Sequence, residues 1–243
     1  MTTISECASD VDYIVTSLPN TQIVDAVLND DGGVFAVASP GTIICDSSTI
    51  SPIASKEFSE KAKKLEMTYL DAPMSGGIMG AEKASLTFMC GSQTPEDFEA
   101  AKVILEGMGK KIFSCGGPGT GGIAKIVNNV ILGINMVAAC EGMVLGEKLG
   151  IDPKTLMNVL STATSNSWVI SANNPFPGNI PTAPASNNYN GGFQVGLMRK
   201  DMALGLECAE AVDADSQFAQ AAMEYYRTLE KKGHGGKDFG YIF

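Results

Sequence analysis

The hydrophobic period of this chain changes once, near Gly117–Gly122, and that change limits the folds open to it. Before it, short β-rich runs alternate with helical patterns. Tyr13-Ile14-Val15-Thr16-Ser17 reads as a buried strand ending before Pro19, and Thr21–Leu28 as a helix stopped by Asp30-Asp31-Gly32-Gly33. Thr42–Asp46 is a second strand, and Ser51-Pro52 opens a helix with proline at its first position. Met67–Leu70 and Leu86–Cys90 are further strands. Thr94 is placed to cap the next helix, with Pro95 at its first position and Glu96 and Asp97 at its positive end. Lys111–Ser114 is a fifth strand. Alternation of this kind predicts a doubly wound parallel sheet. After the change, Gly122–Leu149 reads as one long helix, apolar on nearly every side, which predicts burial between domains or in a bundle. Gly150 and Asp152-Pro153 end it and start another helix. Asn173–Gly192 is a long Pro/Asn/Gly-rich loop, of the kind that is functional or mobile, and helical periodicity returns from Phe193. The expected division is residues 1–118 as an α/β domain and 119–243 as the long helix with an all-helical domain.

Composition excludes several functions. The chain has 243 residues and a net charge of −10, which argues against a nucleic-acid partner and an acidic membrane surface. Its one histidine, His234, excludes multi-histidine metal sites and makes a Ser-His-Asp triad a poor fit. The six cysteines are never closer than 25 residues, so no compact metal cluster is expected, and reduced thiols are expected over a disulfide framework. No run of 18 uninterrupted apolar residues suggests a membrane span, and MTTISECASD has the character of neither a signal nor a transit peptide.

Three clusters carry candidate chemistry. Asp71-Ala-Pro-Met-Ser75-Gly76-Gly77 follows a strand, so it lies at a carboxyl end, where open α/β sheets bind ligands. Ser75 offers a hydroxyl there, and Gly76 and Gly77 let backbone amides approach an anion, although an ordinary glycine turn reads the same. Lys125, Asn128 and Asn129 share one face of the long helix. Polar groups in an apolar helix need partners, and a desolvated lysine suits proton transfer to or from an alcohol. A snorkelling lysine with two structural asparagines is the alternative. Arg199-Lys200-Asp201 reads alone as a solvated helix start. Gly117-Pro-Gly119-Thr-Gly-Gly122 satisfies the dinucleotide fingerprint in letters only: no second strand ending in an acid follows, so it is read as a domain junction.

Taken in order, DSSTISP at 46–52, DAPMSGG at 71–77, LTFMCG at 86–91, GTGGIAKIVNN at 119–129, SNNYNGGF at 186–193 and LMRKDMALG at 197–205 resemble the β-hydroxyacid dehydrogenase family. SNNYNGGF and the segment around Trp168 resemble its 3-hydroxyisobutyrate branch more than its succinic or tartronate semialdehyde reductase branches. The resemblance implies a Rossmann-type NAD domain, a long interdomain helix and an all-α domain that also dimerises. It implies Lys125 as catalytic acid/base, and Ser75, Gly76, Gly77, Asn128 and Asn129 as substrate-binding residues. Leu18, Pro19, Thr49 and Lys200 would contact the cofactor, with Asp201 orienting Lys200. The implied reaction is NAD-dependent oxidation of 3-hydroxyisobutyrate to methylmalonate semialdehyde in valine breakdown. It requires no metal, and a mitochondrial dimer or tetramer would carry it out. The family pattern opens with a strand, glycine turn, helix and second strand that this sequence does not show, so Tyr13–Ser17 is expected at a sheet edge. NAD binding is then expected to be weak or absent. A chain that co-assembles with longer subunits without catalysing, and a related 3-hydroxyacid or semialdehyde reductase, are the alternatives.

Overall fold

A computed structural model describes residues 3–243 and divides into two compact units, one ending at Ile126 and one spanning Val127–Phe243. In the first unit, α1 (Ile4–Ala8) is closed by a capping box between Thr3 and Glu6. Strand β1 (Tyr13–Thr16) leads to α2 (Thr21–Asn29), which Asn20 caps by accepting the Ile23 N–H at 2.9 Å. A single turn, α3 (Val34–Val37), precedes β2 (Ile43–Asp46). Helix α4 (Pro52–Lys64) carries Pro52 in its first turn and three lysines in its last, where the dipole favours cations. Strand β3 (Thr68–Asp71), the two-residue β4 (Met74–Ser75), the short α5 (Gly77–Glu82) and β5 (Leu86–Gly91) follow. Helix α6 (Pro95–Leu105) starts from a full Thr94–Asp97 capping box, and β6 (Gly109–Gly116) completes the sheet.

Strands β1, β2 and β3 run parallel, as do β5 and β6. The expected all-parallel sheet needs correction, because β5 runs antiparallel to both β3 and β4. After β3 the chain pairs Met74 and Ser75 with β5 at once, so it reverses in place of the long crossover that a parallel neighbour requires. β1 stands at one end of the sheet order. Successive residues of a strand point to opposite faces. Ile44 and Tyr69 therefore join a core with Val24, Leu28, Phe35 and Phe58, while Cys45 and Leu70 join another with Phe88, Phe98 and Leu105. The sheet is thus covered on both faces. Its register lines up Thr16, Asp46, Asp71 and Gly91 across four strands at the carboxyl edge of β1–β3.

Helix α7 (Thr120–Lys148) starts in this unit and supplies the first helix of the second. By length and apolarity alone it is long enough to cross a bilayer, and 39% of its most apolar stretch is buried inside the protein. The expected burial is partial within the chain: Met136, Val137 and Cys140 are buried, while Val127, Ile131 and Leu145 are exposed. Apolarity all round a helix sets what it can bury against, and the second unit covers one side of it. Helices α8 (Pro153–Leu160), α9 (Trp168–Ser171), α10 (Val195–Ala211) and α11 (Gln217–Lys231) complete the second unit. Its core joins Met136, Cys140, Met198, Met202, Met223, Tyr226 and Phe239.

The 173–192 segment is built rather than loose. Asn174 is fully buried, Asn179 donates to its side-chain oxygen at 3.1 Å, and a 3-10 turn spans Pro184–Asn187. The buried Asp238 accepts from the Asn173 side chain and from the amides of Phe193 and Gly240. All six cysteines are free thiols, and burial pushes Cys45, Cys90 and Cys140 up to about 12.

The capping box of α6 sets a direct expectation. Thr94→Ala should lower stability by about 1 kcal/mol, the usual worth of a lost cap, read from urea denaturation. No change in the midpoint would mean that water replaces the cap fully.

Candidate active site

Strand β3 delivers the first functional group. Asp71 ends it, is 2% exposed, and accepts the amide of Gly119 at Oδ1 (2.7 Å) and that of Gly122 at Oδ2 (2.8 Å). These amides open α7, where a helix leaves N–H groups without internal partners and its dipole favours negative charge. Desolvation nonetheless dominates and raises the Asp71 carboxyl to about 6; the Gly122 and Gly119 amides oppose the rise, and nearby Asp46 adds to it. The Gly117–Gly122 run therefore holds an internal carboxylate, and a phosphate placed there would meet a like charge. Gly119 and Gly121 of the run, and Gly91 of β5, are needed for contact. A Cβ on Gly121 would fall 2.2 Å from the Met89 carbonyl oxygen, and one on Gly91 2.5 Å from Asp71 Oδ1.

Four residues beyond Asp71, Ser75 is held by pairing with Thr87 of β5. Its Oγ accepts from Lys125 Nζ at 3.1 Å. Lys125 is half-buried, one turn into α7 from Gly122. Gly76 and Gly77 follow with φ of 135° and 60°, conformations that favour glycine. No heavy atom lies within 4 Å of the Cβ position of Gly77, so the turn leaves open space beside it.

The loops after β1 and β2 are tied together by Asp46, which is 1% exposed. Its carboxylate accepts from Thr16 Oγ1 at 2.8 Å, from the Ser48 amide at 3.1 Å and from Tyr69 Oη at 2.9 Å. Ser48 Oγ in turn accepts the Leu18 amide at 2.8 Å. This holds Leu18 and Pro19 near Ser47-Ser48-Thr49 at the carboxyl edge of the sheet. The Ser47 hydroxyl is buried and has no hydrogen-bond partner among the described residues. Loops held in this way, with an unsatisfied buried hydroxyl, fit a polar cofactor at this edge.

In the second unit, Asn129 is 1% exposed and donates to Asp201 Oδ2 at 2.5 Å. Asn128 donates to Asn129 Oδ1 at 2.9 Å, and Lys200 Nζ pairs with Asp201 Oδ1 at 2.9 Å. Asp201 thus joins Lys200 to Asn129. Arg199 pairs with Glu230 instead. Of the three polar residues expected inside α7, only Asn129 is fully buried; Asn128 is exposed and Lys125 lies between.

The expected residues thus gather into three groups: Lys125 with Ser75 beside Gly76 and Gly77, the Asn128–Asn129–Asp201–Lys200 network, and Leu18 and Pro19 beside the loop that carries Thr49. Sequence reasoning assigned no role to Asp46 or Asp71. The available signal was an acid closing each of two consecutive strands, β2 and β3.

Comparison with known proteins agrees with this architecture. Residues 119–242 match the family model described as the NAD-binding domain of NADP-dependent 3-hydroxyisobutyrate dehydrogenase, and residues 1–117 match the NAD-binding domain of 6-phosphogluconate dehydrogenase. A probable mitochondrial 3-hydroxyisobutyrate dehydrogenase of Dictyostelium discoideum is 44% identical over 239 residues, covering 98% of this chain and 74% of that protein. An NAD-dependent L-serine dehydrogenase of Pseudomonas aeruginosa is 35% identical over 237 residues, covering 98% of this chain and 79% of that protein. The solved structure of Mycobacterium tuberculosis 3-hydroxyisobutyrate dehydrogenase with L-serine superposes with a TM-score of 0.91 at 36% identity. It covers all of this chain and 81% of that one.

The pH dependence of stability follows from Asp71. Its folded value of about 6 lies above the ordinary 3.8, so the folded state holds the proton more tightly than the unfolded one. Its contribution is fully present below pH 4 and is lost as pH rises through 6, a change of roughly 3 kcal/mol. The difference in melting temperature between the native chain and Asp71→Asn should therefore shrink from pH 4.5 to 7.5. A difference that grows would reverse the assignment.

Proposed function

The chain belongs to the 3-hydroxyisobutyrate dehydrogenase family of NAD-dependent oxidoreductases, and from that premise we propose that it oxidises a small 3-hydroxy acid to its semialdehyde. 3-Hydroxyisobutyrate is the favoured substrate, with methylmalonate semialdehyde as the product. The observation that carries this reading is Lys125 Nζ at 3.1 Å from Ser75 Oγ, beside the open Gly76–Gly77 turn.

In this reading Lys125 Nζ takes the substrate's hydroxyl proton during oxidation and returns it during reduction. Ser75 Oγ and the backbone of Gly76 and Gly77 receive the carboxylate. The positive-φ turn supports that role, because it exposes main chain without a Cβ in the way. Asn129, fixed by Asp201, holds the substrate, and Asn128 braces Asn129. NAD, when bound, supplies the acceptor for the hydride leaving the carbinol carbon. Leu18, Pro19, Thr49 and Lys200 would hold it. The Asp46 and Ser48 bonds support the role of the first three, and Asp201 orients Lys200. The Gly117–Gly122 run is assigned no part in cofactor binding, since its amides already hold Asp71.

A second substrate calls for direct comparison. The Pseudomonas relative is named for L-serine, and the Mycobacterium structure contains it. L-Serine is a 3-hydroxy acid with an amino group at C2, so the same acid/base chemistry applies. We further propose a place in valine breakdown and a homo-oligomer, dimer or tetramer, whose contacts would use exposed Val127, Ile131 and Leu145 of α7. The mitochondrial matrix is the proposed compartment, on the names of relatives from Dictyostelium discoideum and Mus musculus.

Steady-state kinetics with NAD should show the higher kcat/KM for 3-hydroxyisobutyrate than for L-serine; the reverse order would move the assignment to the amino acid. Lys125→Ala should lower kcat by roughly 10²-fold or more, the scale of general acid–base catalysis. Near-normal kcat in that variant would remove Lys125 from the mechanism.

A further inference from the structure

We propose that Asp71 is a positioning residue that sets Lys125 against Ser75 by clamping the start of α7 to the end of β3. The inference rests on the dehydrogenase reading only for the purpose of the Lys125–Ser75 pair.

The geometry forms a closed ring. From Asp71 the chain runs four residues to Ser75, along a segment pinned by the pairing of Met74 with Phe88 and Ser75 with Thr87. From Gly122, which donates to Asp71 at 2.8 Å, the helix runs three residues, just under one turn, to Lys125. The contact of Lys125 with Ser75 closes the ring at 3.1 Å. Both arms therefore start from one carboxylate, and its two oxygens fix two points of the helix start.

Apolar packing does not supply this register. Ile126 is buried, but apolar contacts are non-directional and by themselves leave a helix able to turn slightly. Two charge-assisted bonds at 2.7 and 2.8 Å, to amides three residues apart, fix both axial position and rotation. The small residues around the clamp keep it tight, since a side chain at Gly91 or Gly121 would force the carboxylate or the helix away. A displacement of about 1 Å can cost ~10²-fold in rate when a reacting group is misplaced.

The test reads the pair without requiring turnover. Lys125 is acetylated by a small neutral ester at one fixed pH, its rate is followed by peptide mass spectrometry, and Lys61 and Lys102 serve as internal references. In the native chain, Ser75→Ala should change the relative rate at Lys125 at least threefold. In the Asp71→Asn background the same replacement should change it by less than half as much. Equal effects in both backgrounds would overturn the proposal, and so would no effect of Ser75→Ala in the native chain. If Asp71→Asn does not fold, hydrogen exchange of the native chain decides. Protection of the Gly119 and Gly122 amides by at least 10²-fold supports the clamp, and exchange faster than that overturns it. Failure of the dehydrogenase reading would appear separately, as absent turnover with a normal labelling pattern.

Discussion

Two backbone amides on one buried carboxylate hold the first unit in its working shape. A carboxylate taken out of water is costly unless it is fully hydrogen-bonded, and Asp71 obtains its partners from a helix start that lacks partners of its own. Each need meets the other. The arrangement requires glycine at 91 and 121, because a methyl group at either position would enter the carboxylate or a carbonyl. The serine at 75 and the lysine at 125 take their places from it.

A second buried acid lies one strand away in the same row. Asp46 faces Asp71 across β2 and β3, and both are almost fully buried. The two are served differently: Asp46 takes two hydroxyls and one amide, whereas Asp71 takes two amides of a helix end. Each ties together segments that are far apart in sequence, Asp46 the loops after β1 and β2, and Asp71 the end of β3 and the start of α7. The carboxyl edge of this sheet is therefore organised by internal carboxylates before any ligand arrives.

Much of this was legible in the residues. Thr94 and Asp152 mark helix starts because a side-chain oxygen beside free amides is a local interaction, and α6 and α8 begin where those residues stand. The strands at Tyr13, Ile43, Thr68 and Leu86 showed as apolar runs for a similar local reason. The one-turn α3 and the two-residue β4 did not show, since neither is long enough to display a period and both depend on packing from elsewhere. The reversed direction of β5 is a tertiary outcome that no run of residues encodes. Within the site, Lys125, Ser75 and Asn129 could be named from their motifs. The hold on Asp71 could not, because its donors lie 48 and 51 residues further along.

The Asp238 hub has a consequence for how this chain is made. The 173–192 segment has no strand or long helix of its own, and its buried Asn173 reaches a carboxylate 65 residues later. A ribosome delivers those residues in order. Until Asp238 has emerged, Asn173 and the Phe193 amide have no anchor, and the segment cannot reach its final form. Contacts of such separation close late and slowly. The second unit thus cannot reach its final form before Asp238 has emerged, by which point the local helices α10 and α11 can already form.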